Sequence, residues 1–179
     1  YPAIYGEMYV RDSEGRILVN EDPNDPGYGL PMVGEFGKIG VVSPDFILSW
    51  TNNFKVLKDI NIFAQIDWKQ GGQMYSGTNR LMDLYGTSKR TEDRESTFIY
   101  DGYLANGQPN NIVRGGPNDA LAYQTLYSSV LDALSEAHIY GTGFVKIREL
   151  GINYNLPKKY ISYLKLTNAQ IGFVARNII

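Results

Sequence analysis

The sequence has 179 residues with 17 basic and 19 acidic side chains, no cysteine, one histidine and 14 tyrosines. Its near-neutral charge provides no basic field for nucleic acid or anionic lipid. The lack of cysteine excludes a disulfide scaffold, a thiol nucleophile and any cysteine-ligated metal. No apolar run approaches the roughly 20 residues of a membrane-spanning helix, and the tyrosine- and glycine-rich composition predicts a mostly β chain.

The first predicted element is a hairpin near the N-terminus. Two apolar-alternating runs, 7–11 and 16–19, flank Asp-Ser-Glu-Gly at 12–15, a typical turn sequence. A loop rich in proline and glycine follows at 20–31, and a strand is expected at 38–42.

The clearest signal is a pair of long strands. Residues 46–56 and 60–69 alternate between apolar and polar side chains, separated only by Leu-Lys-Asp at 57–59. Alternation with period two predicts strands, because successive side chains point to opposite faces. Trp50 and Trp68 fall on the apolar faces of these two antiparallel neighbours.

The stretch from about 71 to 142 is polar and irregular, and only one short helix is expected within it. Apolar side chains from Tyr123 to Leu134 recur with helical spacing, and Asn118 is the predicted N-cap. His138 follows this helix and is expected to be a surface or capping imidazole. A connection near 70 residues is far longer than a hairpin loop and indicates a functional insertion.

Strand character returns at 143–177. The apolar positions change phase at Arg148-Glu149, as a β-bulge would cause. A turn is predicted at 156–159, followed by a last strand at 169–176. Since no polar closing segment follows this strand, we expect the sequence to be a slice of a larger protein.

The connections are alternately very short and very long, which outer-membrane β-barrels also show. Strands of about 10 residues suit a tilted crossing of a bilayer. The predicted fold class is therefore all-β: a segment of a transmembrane antiparallel β-barrel with long extracellular loops. Its expected parts are an extracellular hairpin and loop at about 5–43, a strand pair at 46–70, an extracellular loop at 71–142 and a strand pair at 143–177.

Several motifs resemble the C-terminal part of the barrel in SusC/RagA-type TonB-dependent outer-membrane transporters. The most specific is Phe-Val-Lys-Ile-Arg-Glu-Leu-Gly-Ile-Asn-Tyr-Asn-Leu-Pro at 144–157. Ser-Pro-Asp-Phe at 43–46, Asn-Asn-Phe at 52–54, Trp-Lys-Gln-Gly-Gly-Gln-Met-Tyr at 68–75 and Ala-Arg-Asn at 175–177 are similar to other landmarks of that barrel, in the same order.

This resemblance implies a nutrient importer in the outer membrane of a Gram-negative bacterium. The transported substrate is an oligosaccharide or a peptide, and the sequence leaves both open. Implied partners are a SusD-like surface lipoprotein, the lipid bilayer and, through N-terminal regions and a plug that this sequence does not contain, the TonB complex. No nucleic acid, cofactor, metal or catalytic residue is implied, so the chain is not expected to be an enzyme.

Candidate ligand-binding residues are the tyrosines of the long extracellular loop: Tyr75, Tyr85, Tyr100 and Tyr103. Phenol rings stack on sugars or peptides and keep a hydroxyl for hydrogen bonding. Tyr123 fits the apolar stripe of the predicted helix and is expected to pack there.

Trp50 and Trp68 are predicted to lie at the membrane interface, as barrel aromatics do. If the protein were instead a soluble or surface-exposed β-rich carbohydrate-binding module, both would be core residues. The charged run around Glu92, Asp93 and Glu95 is expected to be a solvated loop, since nothing positions two carboxylates for catalysis.

Overall fold

The computed structural model describes residues 2–164 and 166–178. Its strands, numbered along the chain, are β1 (Ala3–Tyr9), β2 (Val33–Val41), β3 (Pro44–Val56), β4 (Ile60–Gly71), β5 (Gln73–Tyr75), β6 (Thr97–Phe98), β7 (Arg114–Gly115), β8 (Ile139–Gly141), β9 (Phe144–Asn155) and β10 (Gln170–Ile178). Its α-helices are α1 (Gly77–Leu84), α2 (Ala122–Thr125), α3 (Leu131–Ala133) and α4 (Lys158–Ile161). Strands pair only in antiparallel sheets, and none of the sheets formed by the described residues closes on itself.

The chain divides into two compact units. The first contains the chain up to Ser43 together with Gln73–Gly141, and the second contains Pro44–Gly72 and the chain from Thr142 onward. No helix in the described part of the chain is long and apolar enough to cross a membrane.

The second unit is a four-stranded antiparallel sheet in the order β10-β9-β4-β3. The turn at 57–59 joins β3 and β4 as predicted, with Leu57 at φ 63°. In that pair Trp50 lies opposite Ile66 and Leu48 opposite Trp68, so both tryptophans share the predicted apolar face.

The predicted bulge is present in β9. Gln65 of β4 pairs with Glu149 and Ile66 pairs with Ile147, which leaves Arg148 as the extra residue. The neighbouring β10 changes phase at the same level, where Asn177 adopts the left-handed φ of 53°. The two irregularities together keep the apolar side chains of both strands on one face.

The first unit folds around a small leucine core. Leu30 from the proline-rich loop packs with Leu126, Leu131 and Leu134, and the last of these is fully buried. The aromatic side chains around this core come from segments far apart in sequence: Tyr9, Phe98, Tyr100 and Tyr127. The predicted extracellular segments therefore contribute to a folded unit with its own core, which irregular loops would lack.

Four predictions about local structure are wrong in detail. The turn at 12–15 forms, but its two arms meet only at an isolated bridge, and the ladder partner of β1 is β2. The helical segment begins after Leu121 instead of Asn118 and contains a π-helical turn, Leu126–Val130. The long stretch also contains a second helix, α1, where only one helix was expected. The predicted turn at 156–159 leads into α4 and the 3₁₀ turn Ser162–Leu164.

Helix α1 begins at a side-chain cap, because the Oγ of Ser76 accepts a hydrogen bond from the backbone N–H of Asn79 at 3.2 Å. We expect Ser76→Ala to destabilise α1 by about 1 kcal/mol, the usual loss for an N-cap, while Ser76→Thr keeps most of the stability. Hydrogen exchange of the α1 amides measures this difference. Equal exchange in both variants would contradict the capping role.

Candidate functional site

The four-stranded sheet presents an apolar face that is largely exposed. Its central strands contribute residues such as Ile152, which lies opposite Ile62 on one side and Phe173 on the other. Phe173 is 69% exposed and Ile152 is 45% exposed. The other strongly exposed apolar side chains of this face include Phe46, Leu48, Trp50, Phe54, Trp68, Val145, Leu150 and Ile171.

Trp50 lies at the middle of β3, and Trp68 lies two positions nearer to the end of the sheet that holds Pro44 and Gly71. The ring of Trp68 contacts Phe46 edge-on, with centroids 4.9 Å apart, and its Nε1 donates to Gln70 at 3.2 Å. Trp50 lies beside Phe54 at 6.2 Å, and both indoles are 42% exposed. The indole of Trp68, half exposed and bonded at its polar end, suits a boundary between apolar and aqueous surroundings.

The opposite face of the same sheet carries the charged side chains, which bond to one another, together with exposed apolar ones such as Ile47 and Val174. Asp67 accepts hydrogen bonds from the Oγ of Ser49, at 2.9 Å, and from the guanidinium of Arg148, the bulged residue. Arg176 pairs with Glu149 across β9 and β10 at 3.0 Å. The bulge therefore brings an arginine to the carboxylate of Asp67, which is only 8% exposed.

The structure places two of the four predicted ligand tyrosines in packing roles. The hydroxyl of Tyr100 donates to that of Tyr9 at 3.4 Å beside the leucine core, and burial raises its pKa. The ring of Tyr103 lies under the guanidinium of Arg16, 4.7 Å from its centroid.

The other two predicted ligand tyrosines, Tyr75 and Tyr85, have different surroundings. Tyr75 ends β5 and meets the ring of His138 edge-on, with centroids 6.3 Å apart. Tyr85 is 73% exposed and lines a cleft in the first unit. The four tyrosines thus do not form one cluster, and Tyr85 is the one among them that lines this cleft.

That cleft has a volume of about 350 Å³ and lies between two helical elements. We call it the tyrosine cleft; its lining residues are Asp83, Leu84, Tyr85, Gly86, Thr91, Arg94, Ala120, Tyr123, Gln124, Tyr127 and Ser128. Tyr123, Gln124, Tyr127 and Ser128 recur at i, i+1, i+4 and i+5, so they form one face of the helical segment, and Ala120 lies just before it.

The rings in the cleft are held in a stack. Tyr123 packs on Phe98 with centroids 4.6 Å apart, as its predicted packing role requires, and lies nearly parallel to Tyr127 at 6.5 Å. The hydroxyl of Tyr127 donates to the carbonyl of Arg90 at 2.9 Å, and that of Tyr123 lies 3.1 Å from the Oγ of Ser96. From the sequence, Tyr127 was predicted only to belong to the apolar stripe of the helix. The i, i+4 spacing of Tyr123 and Tyr127 was the signal that could have indicated this cleft.

The facing wall depends on a close approach of Arg94 to Gly86. The guanidinium donates to the carbonyls of Gly86 and Thr91, the latter at 2.7 Å. A Cβ on Gly86 would lie 2.5 Å from the guanidinium, and its φ of +66° favours glycine. Arg94 therefore links the backbone at Gly86 to the backbone at Thr91 and stabilises this wall of the cleft.

His138 is fully buried, which contradicts the surface position predicted for it. Its Nε2 lies 2.9 Å from the carbonyl of Leu131, so this nitrogen carries the proton and donates. Its Nδ1 faces the Oδ2 of Asp83 at 3.9 Å, and Asp83 also accepts from Ser88 and Arg90. The helical turn Ser135–His138 directs the imidazole inward, which no residue pattern around it indicates.

Burial lowers the pKa of the His138 imidazole, against the opposing effects of the Leu131 carbonyl and Asp83, while Arg90 and Arg80 lower it further. Between this lowered value and the ordinary 6.5, the unfolded state binds a proton that the folded state does not. We therefore expect the stability of the first unit to fall as the pH drops below about 6.5. His138→Gln should flatten that dependence below about pH 6.5, as measured by thermal unfolding. An unchanged slope in the variant would contradict this assignment.

Among the residues that the structure describes, no three His, Asp or Glu side chains gather as a metal site would require. Comparison with protein-family models finds none that matches this chain, and comparison with curated proteins finds no match either.

Proposed function

We propose that this chain forms part of the wall of an outer-membrane, TonB-dependent importer of the SusC/RagA type. In this proposal the importer transports an oligosaccharide or a peptide, a SusD-like lipoprotein is its surface partner, and the chain catalyses no reaction. The observation that carries the proposal is the four-stranded sheet, whose long strands expose one apolar face and keep bonded charges on the other.

Strand length supports a bilayer-crossing role. β3, β4 and β9 have 13, 12 and 12 residues, and β10 has 9. A tilted strand needs about 9–11 residues to cross the hydrocarbon core. Strands in globular proteins are usually nearer 5–6 residues, so this sheet is longer than a soluble core of its size requires.

The distribution of charge supports the same role. A strand in the wall of a transmembrane barrel alternates apolar side chains toward lipid with polar ones toward the interior. In this sheet Asp67, Arg148, Glu149 and Arg176 all lie on the face opposite to Trp50. The hydrogen bonds and ion pairs between these residues suit a water-filled interior, because their charges then do not have to be transferred from water into lipid.

Because the chain has no cysteine, single thiols test which face meets lipid. We would place a cysteine at Ile152 on the apolar face or at its neighbour Asn153 on the polar face, label each with an environment-sensitive fluorophore, and fold the full chain into liposomes. The Ile152→Cys probe should be quenched by spin-labelled lipid, and the Asn153→Cys probe by aqueous iodide.

The reverse pattern, or iodide quenching at both positions, would contradict the proposal. A chain that is monodisperse in buffer without detergent and quenched by iodide at both sites would favour the β-rich carbohydrate-binding module instead. The adjacent positions share one strand and one labelling chemistry, so the comparison isolates the face.

A further inference from the structure

We propose that the tyrosine cleft is a binding site for one pyranose ring of a neutral oligosaccharide. The inference goes beyond the proposed function, since a sugar site in this cleft holds whether or not the sheet lies in a bilayer. It also assigns the ligand role to Tyr85, Tyr123 and Tyr127, a different set from the tyrosines that the sequence suggests.

The first argument is the aromatic lining. The stacked pair Tyr123 and Tyr127 forms one side of the cleft, and the exposed Tyr85 lies at its other side. The C–H faces of a pyranose pack on phenol rings, which supply apolar area and a polar edge together. Because the hydroxyls of Tyr123 and Tyr127 are already bonded to Ser96 and Arg90, these rings are fixed before a ligand arrives, which reduces the ordering cost of binding.

The second argument is the charge of the lining. Asp83 is 2% exposed and bonded to Ser88 and Arg90, while two nitrogens of Arg94 donate to backbone carbonyls. The lining also contains the amide of Gln124 and the hydroxyls of Tyr85 and Ser128. Amide and hydroxyl groups match the hydroxyls of a neutral sugar, whereas the charged termini or side chains of a peptide would require opposite charges at the same place.

The third argument is size. A volume of about 350 Å³ is at the lower end of small-molecule sites, which range from about 300 to 1,000 Å³. The cleft is therefore suited to one sugar ring with parts of its neighbours outside, and we expect the weak affinity that a single ring allows.

The test is saturation-transfer NMR on the full chain with maltose, cellobiose and lactose, with trialanine and a charged tripeptide as peptide probes. At least one disaccharide should bind with a millimolar Kd, and the peptides should not. Tyr85→Ala should weaken that binding about tenfold, because an exposed stacking ring is lost, and Tyr85→Phe should stay within about twofold of the original.

A second variant, Gln124→Trp, fills the cleft from an exposed position without removing a core residue and should abolish sugar binding. Tyr5→Ala is the matched control: Tyr5 is also exposed, at 61%, but lies on β1 outside the cleft. Absence of binding by all three sugars, binding of the peptides, or sugar binding unchanged in both Tyr85→Ala and Gln124→Trp would each overturn the proposal. None of these results alters the quenching pattern at Ile152 and Asn153, so the two proposals fail separately.

Discussion

Arg114→Ala is expected to unfold the junction between the proline-rich loop and the segment that follows β7. The Arg114 side chain is only 10% exposed, and its Nε lies 2.6 Å from Asp119. Its remaining nitrogens donate to the carbonyls of Pro26, at 3.1 Å, and Tyr28. One guanidinium thus ties together backbone segments that are 86 and 88 residues apart.

Removing this side chain leaves two inward-facing carbonyls and the Asp119 carboxylate without their cation. Breaking a buried ion pair from one side costs about 3–5 kcal/mol. Asp119 is 35% exposed and regains some water, so we expect about 3 kcal/mol, at the low end of that range. The pKa of Asp119, which Arg114 holds below its ordinary value, should rise toward it.

The measurement is hydrogen–deuterium exchange of residues 20–31 and 110–119, where faster exchange reports local opening. Arg114→Lys is the informative companion, because it keeps the charge but cannot form the planar fork, and should recover only part of the protection. Arg176→Ala removes an arginine that is 73% exposed and should cost less than about 1 kcal/mol. Equal protection of residues 20–31 and 110–119 in Arg114→Ala and in Arg176→Ala would show that the contacts of Arg114 do not stabilise the first unit.

The sheet was predictable because its signal is local and repeated. β3 and β4 each carry five or more alternations, and side-chain direction along a strand follows directly from that period. Even the bulge at Arg148 was visible as a change of phase, since one extra residue moves every later side chain to the other face. The left-handed conformation of Asn177 had no such signal. Only two residues follow it in the sequence given, and a change of phase cannot be read from two positions.

The first unit was not predictable for the opposite reason. Its core joins Leu30 to leucines about 100 residues further along the chain. Those leucines belong to the predicted helical stripe, but Leu30 is a single apolar residue in a polar stretch, which has no period. The burial of His138 depends on a carbonyl acceptor seven residues away and on a carboxylate in α1. Polar residues that are satisfied only by such tertiary contacts look the same in sequence as exposed ones.

The same distinction separates the predicted ligand residues from the cleft. Tyr100 and Tyr103 were chosen for residue type and loop position, yet both have partners within the first unit. Tyr127 was assigned to packing from helical spacing, which is correct but incomplete, because one edge of its ring also lines the cleft. Spacing along a helix tells which residues share a face, and only the fold decides whether that face is wholly covered.

Ile152→Arg should prevent stable insertion of the sheet into a bilayer, whereas Asn153→Arg should be tolerated. The two positions are adjacent on β9, on the apolar and the polar face respectively. For a transmembrane barrel, an arginine on the lipid face costs about 2–4 kcal/mol at the bilayer midplane and little near the interfaces. An arginine at 153 would join a face that already holds Arg148 and Arg176.

Folding into liposomes, followed by protease protection, measures the difference. The contrast separates the two proposed environments of the sheet more sharply than solubility does. If the apolar face were instead covered by protein in a soluble module, both variants would still fold without lipid, and Ile152→Arg would lower the free energy of unfolding in plain buffer through loss of a packed side chain.

If lipid covers the apolar face, the penalty of Ile152→Arg should depend on bilayer thickness, because a thinner membrane brings residue 152 closer to the headgroups. A thickness-dependent penalty at 152 that is absent at 153 is therefore the result that a lipid-facing wall requires, and a penalty unaffected by the bilayer would contradict it.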